Sequence, residues 1–432
     1  MRALVLALVK SFCAKFIARS IFVCVTAICF AGRAFADGAF PDELSVYLPA
    51  NAPDRIMLGT NFGLVISEDS GQSWRFVCEF FITHNQSDIV NFYKIASDGA
   101  VLAVSLVKLW RSTDAGCTWT LATGSVSSLF VTDAFIDPND PSFVVAVASN
   151  ATGSGLYPSH DGGLTFGAAL YAPTPAPLVS VEIASTPGVI YATQFDAASN
   201  GYLLKSTDAG ANWTRQQLPV PSGNQPRIIA VDRSDPNKVY LRLLSFGSST
   251  DAIAITTDGG RTLTIPITLS GGLNYFSSFL QAADGTLYAG TTNGDLYVQA
   301  PSETTFTIRV GPRTRCLGQR PGSSRIYACG DGSADGYNLG YSDDGARTFQ
   351  PLMSFTQIAG PLTCPAVNDA CASWYALLLQ TLGGGPDGGT GVGPKPTGGS
   401  HCSAVGAGGA LALLLIRLLR PSRSRSISKE RG

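Results

Sequence analysis

The sequence predicts an all-β fold built from repeated sheets, and three observations support this prediction. The pattern Ser/Thr-x-Asp-x-Gly-x-Thr-aromatic recurs along the chain. The last residues of successive copies lie 43 to 50 residues apart. Short runs rich in Val, Ile, Tyr and Phe precede the copies and are separated by Asp-Pro or Asp-Gly turns, as strands in hairpins are. Four short strands in roughly 46 residues describe one blade of a β-propeller.

Six copies of the pattern are clear and a seventh, ending at Phe306, is degenerate. The fourth copy has Asn212 at the Thr position, and the sixth has Ala346 at the Gly position. The residues that we assign to the repeated turn are Ser67, Asp69, Gly71, Trp74, Ser112, Asp114, Gly116, Trp119, Ser159, Asp161, Gly163, Phe166, Ser206, Asp208, Gly210, Trp213, Thr256, Asp258, Gly260, Ser342, Asp344 and Phe349. Seven copies predict one ring of seven blades, which must close because a blade cannot bury both faces alone.

Each repeat has the same internal order. Two strands separated by a turn come first, as in residues 134–136 and 143–147. A third strand enters the pattern (63–66) and a fourth leaves it (74–77), so the pattern joins the third and fourth strands. Whether a strand is exchanged where the ring closes stays open. After the ring, residues 369–382 predict either a short helix, capped by Asn368 or Asp369, or a last strand.

The repeats resemble the Asp-box (BNR) repeats of sialidase-like, sortilin-like and photosystem II assembly factor-like β-propellers, over about residues 37–363. In that family the box is the turn between the third and fourth strands of a blade. The residue types fit such a turn. The Asp carboxylate can accept backbone N–H groups, the Gly permits a positive φ angle, and the aromatic side chain buries apolar area. The resemblance implies that these residues are structural rather than catalytic.

Both ends of the chain differ from the middle. Residues 1–36 combine basic residues, an apolar run and a closing Ala-Phe-Ala, which predict a secretory signal peptide; an uncleaved membrane anchor is the alternative. Residues 37–382 hold the propeller, and residues 383–400 are a Gly/Pro-rich linker. Residues 401–432 contain Cys402, a short apolar run and an Arg cluster.

This tail resembles the MYXO-CTERM family of C-terminal sorting signals. The resemblance implies recognition by a sorting peptidase and display at the bacterial cell surface, with Cys402 as the processing or lipid-attachment point. The apolar run at 403–416 is short for a membrane span, which needs about 20 residues. A plain short tail anchor is the alternative, and it would also end at a membrane.

Six cysteines belong to the propeller, and an even number in an exported chain predicts disulfides. Sequence alone permits 15 connectivities for six cysteines. Placed on the predicted blades, Cys316 and Cys329 lie on paired strands, Cys364 and Cys371 would close a short loop, and Cys78 and Cys117 remain. We therefore predict the bonds Cys78–Cys117, Cys316–Cys329 and Cys364–Cys371.

Composition and motifs exclude several functions. A net charge of −1 provides no long-range field to attract nucleic acid. Three scattered His residues predict no metal site, and residues 331–336 lack the middle ligands and distal Glu of a calcium loop. No phosphate-binding loop is present in the sequence, and we predict no cofactor.

The sequence departs from two enzyme classes that are built from Asp-box propellers. Sialidases have an Arg-Ile-Pro motif and six blades, whereas residues 54–57 read Asp-Arg-Ile-Met and seven blades are predicted. Glucanases of the xyloglucanase type pair two propellers around a cleft, and this chain has length for one. The acids outside the repeated turns were interpreted as turn or strand-end residues: Asp88, Asp98, Asp133, Asp196, Asp251 and Asp284.

We therefore predict a monomeric, exported, non-catalytic binding or scaffold module with a glycan or protein ligand. A polysaccharide-active glycoside hydrolase and a protein-assembly factor are the alternatives. Because the repeated turns lie at one rim in the resembling family, ligand contacts are expected from loops that join blades. The candidate contact regions are residues 84–88, 125–128 and 195–200.

Overall fold

A computed structural model describes residues 43–84, 89–105, 107–173, 176–245, 249–271 and 274–383. These residues form seven separate β-sheets arranged in one ring, which confirms the predicted seven-bladed propeller with four-stranded blades. The predicted signal peptide, most of the linker and the sorting tail with Cys402 lie outside the described residues. In the described part of the chain, no helix has the length and apolar character needed to cross a membrane.

The strands follow each other in chain order from blade to blade. Blade 1 contains β1 (Glu43–Tyr47), β2 (Ile56–Thr60), β3 (Gly63–Ser67) and β4 (Trp74–Cys78), followed by the helix α1 (Glu79–Thr83). Blade 2 contains β5 (Val90–Ile95), β6 (Val101–Ser105), β7 (Leu109–Ser112) and β8 (Thr120–Leu121). Blade 3 contains β9 (Thr123–Gly124), β10 (Phe130–Ile136), β11 (Val144–Asn150), β12 (Gly153–Ser159) and β13 (Thr165–Phe166).

The remaining blades have four strands each. Blade 4 contains β14 (Leu178–Ile183), β15 (Ile190–Phe195), β16 (Gly201–Ser206) and β17 (Thr214–Gln217). Blade 5 contains β18 (Asn224–Val231), β19 (Val239–Ser245), β20 (Thr250–Thr256) and β21 (Thr264–Leu269). Blade 6 contains β22 (Phe276–Gln281), β23 (Leu287–Thr291), β24 (Asp295–Gln299) and β25 (Thr307–Val310). Blade 7 contains β26 (Cys316–Gln319), β27 (Ile326–Cys329), β28 (Leu339–Ser342) and β29 (Gln350–Met353).

Burial follows the position of a strand within its blade. Every residue of β2, β6 and β23 is buried, because a second strand has a neighbouring blade against each face. The fourth strands β17 and β25 are mostly exposed at the outer rim. First strands of successive blades contact each other around the centre, and β1 contacts β26 where the ring closes. The core is therefore a set of apolar layers between blades.

The ring closes without exchange of a strand, because blade 1 and blade 7 are each built from consecutive strands. Across the seam, the Arg320 guanidinium of blade 7 donates hydrogen bonds to the carbonyls of Pro49, Ala52 and Arg55 in blade 1. The chain then continues past blade 7 and returns to blade 1.

We call residues 354–382 the C-terminal strap. It contains a 3-10 helix (Phe355–Gln357), β30 (Ile358–Pro361) and α2 (Pro365–Thr381). Strand β30 pairs in parallel with β4, so blade 1 has a fifth strand on its outer edge. The predicted helix is present but begins earlier, with Cys364 at the N-cap instead of Asn368 or Asp369. Pro365 explains this start, because proline lacks an N–H and suits the first helical turn.

Two predicted disulfides are wrong. The structure joins Cys78 to Cys371 and Cys117 to Cys364, rather than Cys78 to Cys117 and Cys364 to Cys371. Cys371 lies seven residues along α2 from Cys364, about 10 Å by helical rise, which exceeds the Cα separation that a disulfide can bridge. The two bonds instead attach the strap to blades 1 and 2. Cys316 bonds to Cys329, its opposite residue across β26 and β27, as predicted.

Candidate functional site

The residues of the repeated turn are used by the turn itself. In blade 1 the Ser67 hydroxyl donates to Oδ1 of Asp69 (2.8 Å), and the N–H of Gly71 donates to the Ser67 hydroxyl (2.8 Å). Ser73 donates its N–H to Oδ1 of Asp69 (2.9 Å) and its hydroxyl to Oδ2 (2.5 Å). The other five clear copies repeat two of these bonds. The Ser or Thr hydroxyl donates to the Asp carboxylate, and the N–H at the Gly position donates to that hydroxyl.

These bonds remove the repeated acids from consideration as catalytic groups. The Ser73 hydroxyl and N–H hold the pKa of Asp69 at about 2, well below its ordinary range. The pKa of Asp208 is likewise lowered by hydrogen bonds from Asn212, which replaces the usual Thr. A carboxylate that is ionised and accepts bonds from its own turn is poorly suited to general acid–base work at neutral pH.

The glycine and the aromatic residue also have structural roles. Gly210 has a φ of 93°, which residues with a side chain rarely adopt, and a Cβ at this position would lie 2.7 Å from Cδ1 of Leu170, which would have to shift. The Trp213 indole N–H donates to the Gly210 carbonyl at 2.9 Å. In the sixth copy, Ala346 adopts a φ of 61°, which a residue with a Cβ can tolerate.

The loops that join blades lie at the opposite end of the strands from the repeated turns, because successive strands of a blade are antiparallel. We call this end, with the hairpins between second and third strands, the loop face. The predicted contact regions 125–128 and 195–200 are on the loop face. Of the region 84–88, only His84 is described; it is exposed, and its ring lies 5.2 Å from that of Trp110.

Region 195–200 is largely occupied by its own turn. The Asp196 carboxylate accepts bonds from Asn200 and from the Tyr202 hydroxyl (2.8 Å). The bonds from Asn200 hold the pKa of Asp196 at about 2. This acid is therefore a turn residue, as interpreted from the sequence.

The calcium-like loop at 331–336 is also self-satisfied. The Asp331 carboxylate accepts bonds from Ser333, and Asp335 accepts the N–H groups of Asp331 and Arg313. Among the residues that the structure describes, no group of three or more His, Cys, Asp or Glu could hold a metal ion.

Sequence reasoning missed a charged cluster on the first strands, which we call the channel cluster: Lys94 of β5, Asp133 of β10 and Glu182 of β14. The Lys94 ammonium lies 5.1 Å from the centre of the Phe135 ring. Asp133 is buried and accepts the N–H of Val181 at 3.2 Å. The sequence feature that could have indicated this cluster is a single charged residue within an apolar run, as in Leu-Val-Ser-Val-Glu-Ile of β14.

The channel cluster contains a carboxyl group with a shifted pKa. The pKa of Glu182 is raised to about 7, mainly by burial; the Lys94 ammonium opposes the shift, and the negative charge of Asp133 adds to it. The cluster therefore places one carboxyl group that titrates near neutral pH close to a second acid and a cation.

Replacement of Glu182 with Gln is expected to stabilise the fold at pH 8 and to leave it unchanged at pH 4. Because the folded-state pKa is above the ordinary 4.5, the wild type loses stability as the pH rises from about 4.5 to about 7. The gain at pH 8 is roughly 1–3 kcal/mol, measured by urea unfolding at both pH values. Glu303→Gln, which removes an exposed acid, is the control. Equal stability of Glu182→Gln and wild type at pH 8 would contradict the prediction.

No protein-family model and no curated protein matches the chain. The extracellular domain of the putative one component system BT4673 from B. thetaiotaomicron superposes with a TM-score of 0.52 at 12% identity, covering 73% of this chain and 42% of that one. Prolyl oligopeptidase B from Galerina marginata superposes with a TM-score of 0.51 at 10% identity, covering 73% and 51%. YCF48 from Cyanidioschyzon merolae has a TM-score of 0.45 at 14% identity, covering 67% and 96%.

This chain spans about half or less of the first two of these structures. At such identities the likeness shows the propeller fold alone. The function must therefore be argued from the residues of this chain.

Proposed function

We propose that this protein is an exported β-propeller of the Asp-box type that acts as a non-catalytic binding module at the bacterial cell surface, with a protein as its ligand. Three disulfides support an oxidising, extracytoplasmic compartment. The acids of the repeated turns are committed to structure, which supports a scaffold rather than a repeated catalytic device. Display through Cys402 and the sorting tail is part of this proposal.

One observation carries the binding role. Three large apolar side chains are exposed at the loop-face ends of blades 2 and 3, and we call them the loop-face patch: Ile89 (40%), Val107 (37%) and Phe130 (54%). Ile89 directly precedes β5, Val107 lies between β6 and β7, and Phe130 begins β10. Exposed apolar residues grouped at one face mark interaction sites.

The chemistry of the loop-face patch favours a protein over a glycan. Two of its three residues, Ile89 and Val107, are aliphatic, and only Phe130 has an aromatic face on which a sugar ring could stack. The predicted contact regions 84–88 and 125–128 lead directly into Ile89 and Phe130. In repeat proteins, variation collects on the loops of one face, which is often the binding face.

A glycoside hydrolase is the second candidate, and the channel cluster is the observation that favours it. Glycoside hydrolases use one carboxyl group with a raised pKa and one ionised carboxylate. Glu182 provides a carboxyl group with a raised pKa, and Asp133 places a second carboxyl group near it. Both lie on first strands at the centre of the ring, however, where a polysaccharide chain has poor access.

The test uses the full chain, with Val107→Asp/Phe130→Asp as the patch variant and Ile265→Asp as the control. Ile265 is 46% exposed but lies on the outer strand β21. We expect a partner captured from outer-membrane extract to be lost with the patch variant and retained with the control. Retention by both variants would overturn the proposed site. Turnover on a glycan panel that Glu182→Gln abolishes would establish the hydrolase instead.

A further inference from the structure

The outer strand of every blade has one edge with unpaired backbone groups, and this chain protects six of the seven edges. Strand β30 covers β4 and β9 covers β13, both in parallel. Pro266 in β21 and Pro351 in β29 remove backbone donors. Strand β17 reads Thr-Arg-Gln-Gln, and β8 has only two residues. Such features prevent pairing with other chains.

In the described part of the chain, strand β25 of blade 6 has no covering strand and no proline, and Arg309 is its only charged residue. Its sequence is Thr-Ile-Arg-Val, and the side chains of Ile308 and Val310 are 61% and 91% exposed. Within the described residues, no strand pairs with its outer edge. An exposed apolar edge of this kind can pair with a strand of another chain. Its lack of protection therefore indicates a role in binding.

The two faces of β25 differ in chemistry. Ile308 lies opposite Tyr297, which packs with Phe276 between blades 5 and 6, so Ile308 and Val310 point toward the blade 5 side. Arg309 lies opposite Leu296, which packs against blade 7. Its guanidinium donates to the Gly345 carbonyl of blade 7 at 2.8 Å. The edge is therefore apolar on one face and cationic on the other.

A shallow pocket of about 220 Å³ lies between the end of β25 and blade 7, and its lining includes Val310, Tyr337, Arg347 and Phe349. Arg347 donates one bond to the Asp344 carbonyl, which leaves its remaining N–H groups available in the pocket. The acid in the lining, Asp335, already accepts two backbone N–H groups. The lining thus has one cation and one anion, and Arg309 beside it adds a second cation, so the pocket favours a negatively charged side chain.

We propose that β25 is a docking edge for an extended segment of a partner protein, which adds as a fifth strand to blade 6. Apolar side chains of the segment pack beside Ile308 and Val310, and alternate acidic side chains face Arg309 and Arg347. The segment runs parallel to β25, as β9 and β30 run beside their outer strands. A second copy of this chain is a poorer occupant, because it would bring Arg309 and Arg347 of both copies together.

This edge is at the outer rim and shares no residue with the loop-face patch. The inference therefore stands whether or not the loop face binds a protein.

The test measures binding of two blocked, fluorescent octapeptides to the full chain by anisotropy. One peptide alternates Val with Glu and the other alternates Val with Lys. We expect the Val/Glu peptide to bind at least tenfold more tightly. Ile308→Lys/Val310→Lys should weaken that binding tenfold or more, and Arg347→Glu should reduce the preference for Glu at least threefold. Ile265→Lys on the proline-protected edge of blade 5 is the matched control and should change binding less than twofold.

Thermal melting of each variant confirms folding, which is expected because the replaced side chains are exposed. A spin label on the carboxyl end of the bound peptide should broaden the amide signal of Gly311 more than that of Thr307; the reverse would overturn the parallel orientation. Absence of saturable binding, or equal binding to Ile308→Lys/Val310→Lys, would overturn the docking edge. Equal affinity for both peptides would overturn the proposal that the partner segment is acidic. A dimer that Ile308→Lys/Val310→Lys dissociates would assign the edge to a second copy.

Discussion

Removal of both strap disulfides is expected to destabilise the protein by more than the sum of the two single removals. Each bond alone, removed as Cys78→Ala/Cys371→Ala or Cys117→Ala/Cys364→Ala, should cost about 4 kcal/mol, because the removed bond closes a loop of only about 50 residues while the other bond is in place. The quadruple variant should lose about 9 kcal/mol, because the second removal frees a sequence separation of at least 247 residues. Urea unfolding without reductant measures these differences.

The control is the third disulfide. Cys316→Ala/Cys329→Ala removes a bond with a sequence separation of only 13 and should cost about 3 kcal/mol. Its effect should nearly add to that of either strap bond, because its short loop makes up only a small part of the two much longer loops. Additive behaviour of the two strap bonds would show that they do not act together in closing the ring.

The second large effect is expected at Phe355, the first residue of the 3-10 helix in the strap. Phe355 is 1% exposed, and its ring meets that of Phe62 edge-on at 5.0 Å. Its N–H donates to the Asn338 side chain at 2.9 Å. Phe355→Ala should lower the free energy of unfolding by about 3–5 kcal/mol, because it leaves a cavity between blade 1, blade 7 and the strap.

Trp374→Ala provides the comparison within the same strap. Trp374 is 36% exposed on α2 and stacks on Phe80 at 6.2 Å, so its loss should cost less than about 1 kcal/mol. Hydrogen exchange should also accelerate in β30 with Phe355→Ala but not with Trp374→Ala. Similar losses in both variants would contradict an anchoring role for Phe355.

The strap settles how the ring closes, which the sequence left open. Propeller rings need a closure, and here it comes from Arg320 across the seam together with a segment that adds β30 to blade 1. This arrangement explains why β4, unlike other outer strands, is almost wholly buried. Both strap disulfides join the segment after blade 7 to blades 1 and 2, so oxidation links the two ends of the ring covalently.

The repeated turn could be predicted from the sequence because its interactions are local. Ser67, Asp69 and Ser73 make their bonds within seven residues, so spacing and residue type are sufficient. The partners of Cys78 and Cys117 could not be predicted, because they depend on where α2 lies after the chain has passed around the whole ring. The contact role of residues 85–88, the signal peptide and the sorting tail remain predictions.

The candidate sites divide in the same way. Regions 84–88 and 125–128 were indicated by their place between repeats, and Ile89 and Phe130 beside them are exposed. Glu182 was missed, because a single Glu in a strand acquires a pKa of about 7 only when the closed ring buries it near Asp133. The unprotected edge of β25 becomes evident only when the six other outer edges are compared.

The sequence by itself determined the number of blades, the order of strands in each blade and the turn that joins the last two strands, because period and local hydrogen bonding specify them. The tertiary structure alone decided the disulfide pairing, the closure by the strap, the titration of Glu182 and the exposure of Ile308 and Val310. Each of these depends on groups that are distant in sequence and meet only when the ring is complete.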